Sequence, residues 1–353
     1  MAKIIFWGAA EQVTGSMFEL ELDSGYRILI DCGLSYESGE DLLVNSNFQF
    51  DPSEIDLVLL THAHSDHAGN LPTLVKAGFS GPVFATEPTY DLCDILLTDS
   101  ANIQGIKQKS RGKRLKGKRR LYNHDDVFKS LQKIITWPFE KWVEVNDELR
   151  LRFVPSGHIL GAASIELEIK TAGRELRVGF SGDIGAKGSK LVVDPRGMED
   201  LDYLIMESTY GSRMHREKRE ATVVMKEKIK EACQKTNGKL IIPAFSVGRT
   251  QAILFTLNQL KKKVLLVETD TNYTLNSLRK IELFKLKKKK DTYFEIVGSK
   301  DNRVAEEIKN LKKEKKYDYI IVDSAGKTTD KGIRELCLES DMVLITTSLT
   351  QND

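Results

Sequence analysis

Residues 61–70 read Thr-His-Ala-His-Ser-Asp-His-Ala-Gly-Asn, and they directly follow the apolar run Ile55-Asp56-Leu57-Val58-Leu59-Leu60. The aliphatic run predicts a buried strand, so His62, His64, Asp66 and His67 emerge together from its carboxyl end. Imidazole and carboxylate are ligands that divalent ions such as zinc prefer, and Cys, the usual ligand of closed structural zinc sites, is absent from the cluster. Three of the six histidines fall within six residues. We therefore expect an open metal site here rather than a chance group of solvated loop side chains.

Three further strand ends carry residues of the same chemical types. Pro155-Ser156-Gly157-His158 follows the strand-like run 149–154, and Phe180-Ser181-Gly182-Asp183 follows the run 175–179. Earlier in the chain, Leu29-Ile30-Asp31-Cys32-Gly33 ends another predicted strand with an acid. Four such motifs in this order resemble the signature of the metallo-β-lactamase superfamily.

This resemblance implies an α/β fold, the αββα sandwich, with two metal ions. His62, His64 and His158 would hold one zinc ion, Asp66 and His67 would help to hold a second, and Asp183 would bridge them. Asp31 would orient a ligand from behind the site. Two ions about 3.5 to 4 Å apart suit in-line displacement at phosphorus. The resemblance thus makes Asp66 and Asp183 catalytic candidates.

Four more segments resemble the β-CASP branch of the superfamily, which cuts RNA or DNA. They are residues 8–16, residues 96–104, Leu204-Ile-Met-Glu-Ser-Thr-Tyr-Gly211, and Leu240-Ile-Ile-Pro-Ala-Phe-Ser-Val-Gly-Arg-Thr-Gln251. The last resembles ribonuclease J and the eukaryotic pre-mRNA 3′-end nuclease, and the likeness covers roughly residues 1–260. It implies endonuclease-like hydrolysis of phosphodiester bonds in RNA by a metal-bound hydroxide. Glu207 is the third catalytic candidate.

The chain departs from the branch after residue 260. The branch has two later histidines, whereas this sequence has no His after His215. We therefore expect an incomplete second metal site, an incomplete sandwich and impaired activity.

Residues 262–353 instead resemble a partition-ATPase-like α/β segment. We expect strands near residues 263–270, 317–326 and 341–347, with the two acid-ended strands pairing with Leu240–Pro243 in one parallel sheet. The Gly-rich phosphate loop of those ATPases is missing, so ATP is not expected to bind. The predicted domains are 1–205, the metallo-β-lactamase domain, and 206–353, which begins β-CASP-like.

Residues 107–120 carry nine basic side chains and no acid. Such a run is often a solvated loop, but it also suits a surface that tracks the phosphates of RNA or another single-stranded nucleic acid. No aromatic residue interleaves with it, so we expect electrostatics rather than base stacking. The nine are Lys107, Lys109, Arg111, Lys113, Arg114, Lys116, Lys118, Arg119 and Arg120.

Composition limits the class of protein. The 353 residues are 41% hydrophobic and 29% charged, with a net charge of +2, so any attraction for nucleic acid must be local. Neither a signal peptide nor a membrane span is predicted. Four scattered cysteines indicate reduced thiols and a cytoplasmic location. The sequence leaves a homodimer open.

Three functional hypotheses follow. The first is a zinc-dependent nuclease of the β-CASP type. The second is a generic metallo-hydrolase of a small ester or thioester, which the basic run disfavours. The third is a non-catalytic, metal-containing nucleic-acid-binding protein, which the missing late histidines favour.

Overall fold

The computed structural model divides into two compact units; the described residues of the first lie within residues 1–213, and those of the second lie within residues 214–348. In the first unit it describes residues 2–36, 41–110, 120–171 and 173–212. In the second it describes residues 223–225, 227–228, 231, 240–244, 247–259, 264–268, 295–298, 319–323 and 342–346, with single positions 306, 308, 310, 311 and 313.

Six strands form the first sheet of the first unit. In spatial order they are β1 (Lys3–Gly8), β2 (Met17–Glu21), β3 (Arg27–Ile30), β4 (Leu57–Leu59), β5 (Val83–Ala85) and β6 (Ile134–Thr136). Strands β1 to β3 pair antiparallel, and β3 to β6 pair parallel. Both faces of β3 and β4 are buried, which explains their continuous aliphatic runs. The carboxyl ends of β3, β4 and β5 therefore meet at one edge.

The second sheet has five strands in the spatial order β11-β10-β9-β8-β7. These are β7 (Val143–Glu144), β8 (Leu149–Pro155), β9 (Ala163–Thr171), β10 (Arg174–Phe180) and β11 (Tyr203–Ile205). All pairs are antiparallel except β10 with β11. Alternate residues of β9, from Ala163 to Ile169, are apolar and face the first sheet.

The two sheets pack face to face on a shared hydrophobic core. It includes Leu20, Ile28, Ile30, Leu57 and Leu59 from the first sheet, and Leu149, Leu151, Phe153, Ile165 and Leu167 from the second. Burying each of these side chains stabilises the fold by about 1.5 to 3 kcal/mol. This core holds the loops of both sheets next to each other.

Helices cover the other face of the first sheet. The described part of this unit contains five helices, α1 (Asp41–Ser46), α2 (Ser65–Ala68), α3 (Leu71–Lys76), α4 (Glu87–Ser110) and α5 (His124–Leu131), with a 3₁₀ turn at Pro52–Glu54. Leu74 of α3, Leu97 of α4 and Val127 of α5 pack on the outer side of the sheet. None of the helices in the described part of the chain combines the length and apolar composition needed to cross a membrane.

The outer face of the second sheet is charged. Glu166 and Glu168 of β9 are 0% and 2% exposed, and they pair with Arg152 and with Arg150 and Arg177 respectively. In the described first unit, the helices that join a buried hydrophobic cluster all join the one on the first sheet. The described layers are thus helix, sheet and sheet, which agrees with the expected αββα sandwich for those three layers.

The described strands of the second unit are parallel. β12 (Leu240–Ala244) pairs with β16 (Met342–Thr346), while β13 (Val264–Glu268) lies between β14 (Glu295–Gly298) and β15 (Tyr319–Asp323); α6 covers Arg249–Gln259. The expectation that the two acid-ended strands pair with Leu240–Pro243 is wrong. Apolar periodicity identifies a strand but not its neighbour, which tertiary packing decides.

One helix is longer than expected. The helical spacing of residues 88–101 predicts the N-terminal part of α4, but the helix continues to Ser110 and so includes Lys107 and Lys109 of the basic run. Residues 111–119 lie outside the described part of the chain.

Candidate metal centre

The candidate ligands come from the ends of strands in both sheets. His62 and His64 lie in the loop after β4, and Asp66 and His67 lie in the single-turn helix α2 that follows. His158 lies three residues past the end of β8, and Asp183 lies three residues past the end of β10. Packing of the sheets thus brings together side chains that are up to 121 positions apart in the sequence, from His62 to Asp183.

Four side chains offer donor atoms around one point. His64 Nδ1 lies 3.1 Å from His62 Nε2 and 3.1 Å from His158 Nε2. Asp183 Oδ2 lies 3.3 Å from His158 Nε2 and 3.7 Å from His62 Nε2. The four donor atoms all lie within 4.8 Å of one another. Donors at about 2.0 to 2.2 Å from a tetrahedral ion are roughly 3.3 Å apart, so this group fits one metal ion.

The ionisation states suit this use. Burial, followed by the neighbouring imidazoles, lowers the pKa of His62 well below its ordinary value, and burial also lowers the pKa of His158. Burial opposes ionisation of Asp183, but the hydrogen bond from His67 and the nearby imidazoles outweigh it and lower the pKa of Asp183 to about 2. Neutral imidazoles and an ionised carboxylate are the forms that bind metals.

A second group of donors adjoins the first. His67 Nε2 lies 3.3 Å from Asp183 Oδ1 and 4.0 Å from Asp66 Oδ2. Asp183 therefore turns one oxygen toward the three histidines and the other toward His67. Burial raises the pKa of Asp66; the charge of His67 opposes this shift, while the carboxylates of Asp183 and Asp31 add to it. The resemblance found in the sequence implies that Asp66 and His67 help to hold a second ion.

Asp31 lies behind the second group. Its Oδ2 accepts hydrogen bonds from His67 Nδ1 at 2.7 Å and from Thr61 Oγ1 at 2.8 Å, and its Oδ1 accepts one from Thr61 N at 2.7 Å. These bonds fix the His67 ring with Nε2 facing Asp183. Burial opposes protonation of His67, but the carboxylates of Asp31 and Asp183 outweigh it and raise the pKa of His67 well above its ordinary value.

Glu207 does not join the donor group of the three histidines and Asp183. Its Oε1 accepts a hydrogen bond from the backbone N–H of Ile184 at 2.7 Å, and its own N–H donates to Ser181 Oγ at 3.0 Å. Glu207 therefore holds the loop that carries Asp183 from both sides of that residue.

The basic run is described only in part. Lys107 and Lys109 lie in the last turn of α4, and Arg120 is exposed. The other six basic residues of the run lie outside the described part of the chain.

Sequence reasoning missed the threonines that support the centre. Thr61 bonds Asp31 through both its backbone and its hydroxyl, as described above, and Thr86 and Thr89 contact the loop after β8. Thr61 directly precedes the first histidine, so its position was a usable signal. Thr86 and Thr89 lie more than seventy residues from the loop that they contact, and no local pattern indicates the contact.

The comparisons with known proteins agree with the signature. A family model described as the metallo-beta-lactamase superfamily matches residues 12–225. Ribonuclease TTHA0252 of Thermus thermophilus is 35% identical over 255 residues, which are 72% of this chain and 54% of that protein. The RNase J-like protein of Methanocaldococcus jannaschii is 31% identical over 261 residues, 73% of this chain and 55% of that protein.

A eukaryotic protein is similar over the same share of the chain. Cleavage and polyadenylation specificity factor subunit 3-I of Arabidopsis thaliana is 32% identical over 259 residues, 71% of this chain and 34% of that protein. The chain spans about half the length of the two prokaryotic relatives and about a third of the plant one.

Proposed function

Because this chain belongs to the metallo-β-lactamase superfamily, we propose that it is a zinc-dependent nuclease of the β-CASP type that hydrolyses phosphodiester bonds in RNA. The observation that carries the proposal is the convergence of His62, His64, His158 and Asp183, whose donor atoms lie within 4.8 Å of one another. Relatives that are named as ribonucleases or as RNase J-like support RNA as the substrate class.

The residues of the centre would have different roles in this reaction. Bound zinc would activate water near neutral pH and stabilise negative charge on the phosphate oxygens. His62, His64 and His158 would hold one ion as neutral donors, and Asp66 and His67 would contribute to a second. Asp183, with Oδ2 near His158 and Oδ1 near His67, would serve both positions. Glu207 positions Asp183 by accepting a hydrogen bond from the backbone N–H of the next residue, Ile184.

The basic run supplies the nucleic-acid contact in this proposal. Each Lys or Arg that neutralises a phosphate releases a counterion, so binding weakens as salt rises. Replacing Lys113, Arg114, Lys116 and Lys118 with Gln should make the slope of log RNA affinity against log salt concentration less steep, by up to about 3. The matched control replaces Lys285, Lys287, Lys288 and Lys289, which removes the same charge elsewhere. Equal salt slopes for the two variants would exclude a special role for the run.

One observation favours a second candidate function. The resemblance implies two later histidines in the branch, and residues 216–353 of this sequence contain no His. The alternative is a non-catalytic protein that keeps one metal ion and binds nucleic acid through the basic run. Metal content without turnover distinguishes it from the nuclease.

The test combines metal content by mass spectrometry with cleavage of a labelled single-stranded RNA. The nuclease proposal expects up to two zinc ions per chain and cleavage that His64→Ala with Asp183→Ala abolishes. His124→Ala is the control, because this exposed histidine bonds Asn102 on a helix and touches none of the donors. One ion without cleavage would support the alternative, and no ion would contradict both.

A further inference from the structure

Two buried threonines hold the loop that carries His158. Thr86 follows β5, Thr89 lies in the first turn of α4, and they are 1% and 0% exposed. Thr86 Oγ1 lies 2.7 Å from the carbonyl oxygen of Gly161, and Thr89 Oγ1 lies 3.0 Å from the same oxygen. The two hydroxyl oxygens also lie 2.9 Å from each other. Each hydroxyl has one proton and the carbonyl oxygen has two lone pairs, so either both hydroxyls donate to Gly161 O or one donates to it and the other donates to its neighbouring hydroxyl.

Thr86 also caps α4. Its backbone carbonyl accepts a hydrogen bond from Tyr90 N at 3.0 Å, and its Oγ1 lies 3.4 Å from Thr89 N, as expected for the residue before a helix. The hydroxyl of Thr86 thus contacts both the helix and the distant loop. This ties the position of Gly161 to a rigid element of the first sheet.

Gly161 fits closely against this helix start. Its φ is +80°, which L side chains rarely adopt, and an added Cβ would lie 2.6 Å from Thr89 N. Gly161 is three residues after His158, and the intervening turn is closed by the bond from Ala162 N to Ile159 O at 3.1 Å. A shift of the Gly161 carbonyl therefore moves the short turn that carries the His158 ring.

We propose that Thr86 and Thr89 are positioning residues that hold His158 in register with His62 and His64 for metal binding. None of the four clustered donor residues follows β5. The end of β5 is instead connected to the centre through the hydroxyl contacts of Thr86 and Thr89 with Gly161. The inference rests on the proposed metal centre. It means that residues after a strand of the first sheet hold a ligand that follows a strand of the second sheet. Groups that orient a ligand from behind change metal affinity by about 10- to 100-fold when they are removed.

The test is titration of the metal-free protein with cobalt(II), followed by the visible absorption of the bound ion. Thr86→Val with Thr89→Val keeps the side-chain shape and removes both hydroxyls. We expect affinity to fall roughly 10-fold or more and the cobalt spectrum to change. Thr86→Ser with Thr89→Ser keeps both donors and should restore the affinity and the spectrum.

Two further variants separate positioning from stability. Thr73→Val is the control, because the hydroxyl of this buried threonine has no hydrogen-bond partner among the residues that the structure describes, and its loss should leave the affinity unchanged. Thr89→Val alone leaves the Thr86 cap in place, so it tests the loop contact if the double variant does not fold. Melting temperatures of all variants show whether each one folds.

The outcomes also separate this inference from the proposed function. Wild-type affinity and spectrum in the folded valine variants would overturn the role of the threonines and leave the metal centre standing. If the wild-type protein binds no cobalt, or binds it equally well after His64→Ala, the metal centre and this inference are overturned together.

Discussion

At the scale of single residues, Asp31 is the most constrained side chain near the centre. It is 1% exposed, it adopts a φ of 61°, and its two oxygens accept three hydrogen bonds from Thr61 and His67. Asp tolerates the left-handed region better than most residues, because its short polar side chain bonds locally. The same carboxylate therefore fixes a backbone turn and a histidine ring.

Asp31→Asn should lower the free energy of unfolding by about 3 kcal/mol, because an amide group would face donors that now meet a buried carboxylate. Urea denaturation of the metal-free protein measures this change. Asp91→Asn, at an exposed position of α4, is the control and should change stability by less than about 0.5 kcal/mol. Equal effects of the two substitutions would contradict the role given to Asp31.

His67 gives a pH dependence with a definite sign. Its pKa is raised well above the ordinary value in the folded, metal-free protein by Asp31 and Asp183, against the effect of burial. Its stabilising contribution is fully present below the unfolded pKa of about 6.5 and is lost as pH rises through the folded pKa. His67→Gln should therefore destabilise the metal-free protein more at about pH 6 than at about pH 9. A difference in unfolding free energy that is constant with pH would refute this.

At the scale of elements, the centre depends on loops that touch backbone to backbone. The loop after β10 donates Gly185 N to Ser156 O at 2.8 Å in the loop after β8. A Cβ on Gly185 would lie 1.8 Å from the carbonyl oxygen of Gly157, so no larger residue fits without moving one loop. These two loops carry Asp183 and His158, and their contact sets the distance between the two ligands.

Gly185→Ala should weaken zinc binding and lower the free energy of unfolding by about 2 kcal/mol or more, because the contact is with backbone that cannot rotate away. Isothermal titration calorimetry and thermal unfolding measure the two effects. Gly197→Ala is the matched control, since a Cβ there meets no atom within 4 Å. Unchanged zinc affinity in Gly185→Ala would show that the loops adjust independently.

At the scale of the whole molecule, the candidate metal centre and the buried hydrophobic clusters of the described residues lie in the first unit. The two buried hydrophobic clusters of the described residues contain only residues before 213, and the six candidate ligands also precede that position. The strands of the second unit pair only with one another among the described residues. The predicted boundary at residue 205 stays a prediction, as does the likeness of residues 262–353 to partition ATPases.

A chain that ends at residue 213 should fold and bind metal with about the affinity of the full chain, because it keeps both clusters and every candidate ligand. Circular dichroism, a single thermal transition and zinc titration test this. Loss of cooperative unfolding in the shortened chain would mean that residues after 213 complete the core of the first unit.

The sequence by itself determined the superfamily, the candidate ligands and most strands, because the histidines and acids stand at the ends of aliphatic runs whose period is local. His62, His64, Asp66 and His67 needed no tertiary information to be recognised as candidate metal ligands. Tertiary structure alone decided that β12 pairs with β16, that Asp183 directs one oxygen to each donor group, and that Thr86 and Thr89 hold the loop of His158. These contacts join residues far apart in the chain, and their partners are selected by the packing of the sheets, which local periodicity does not encode.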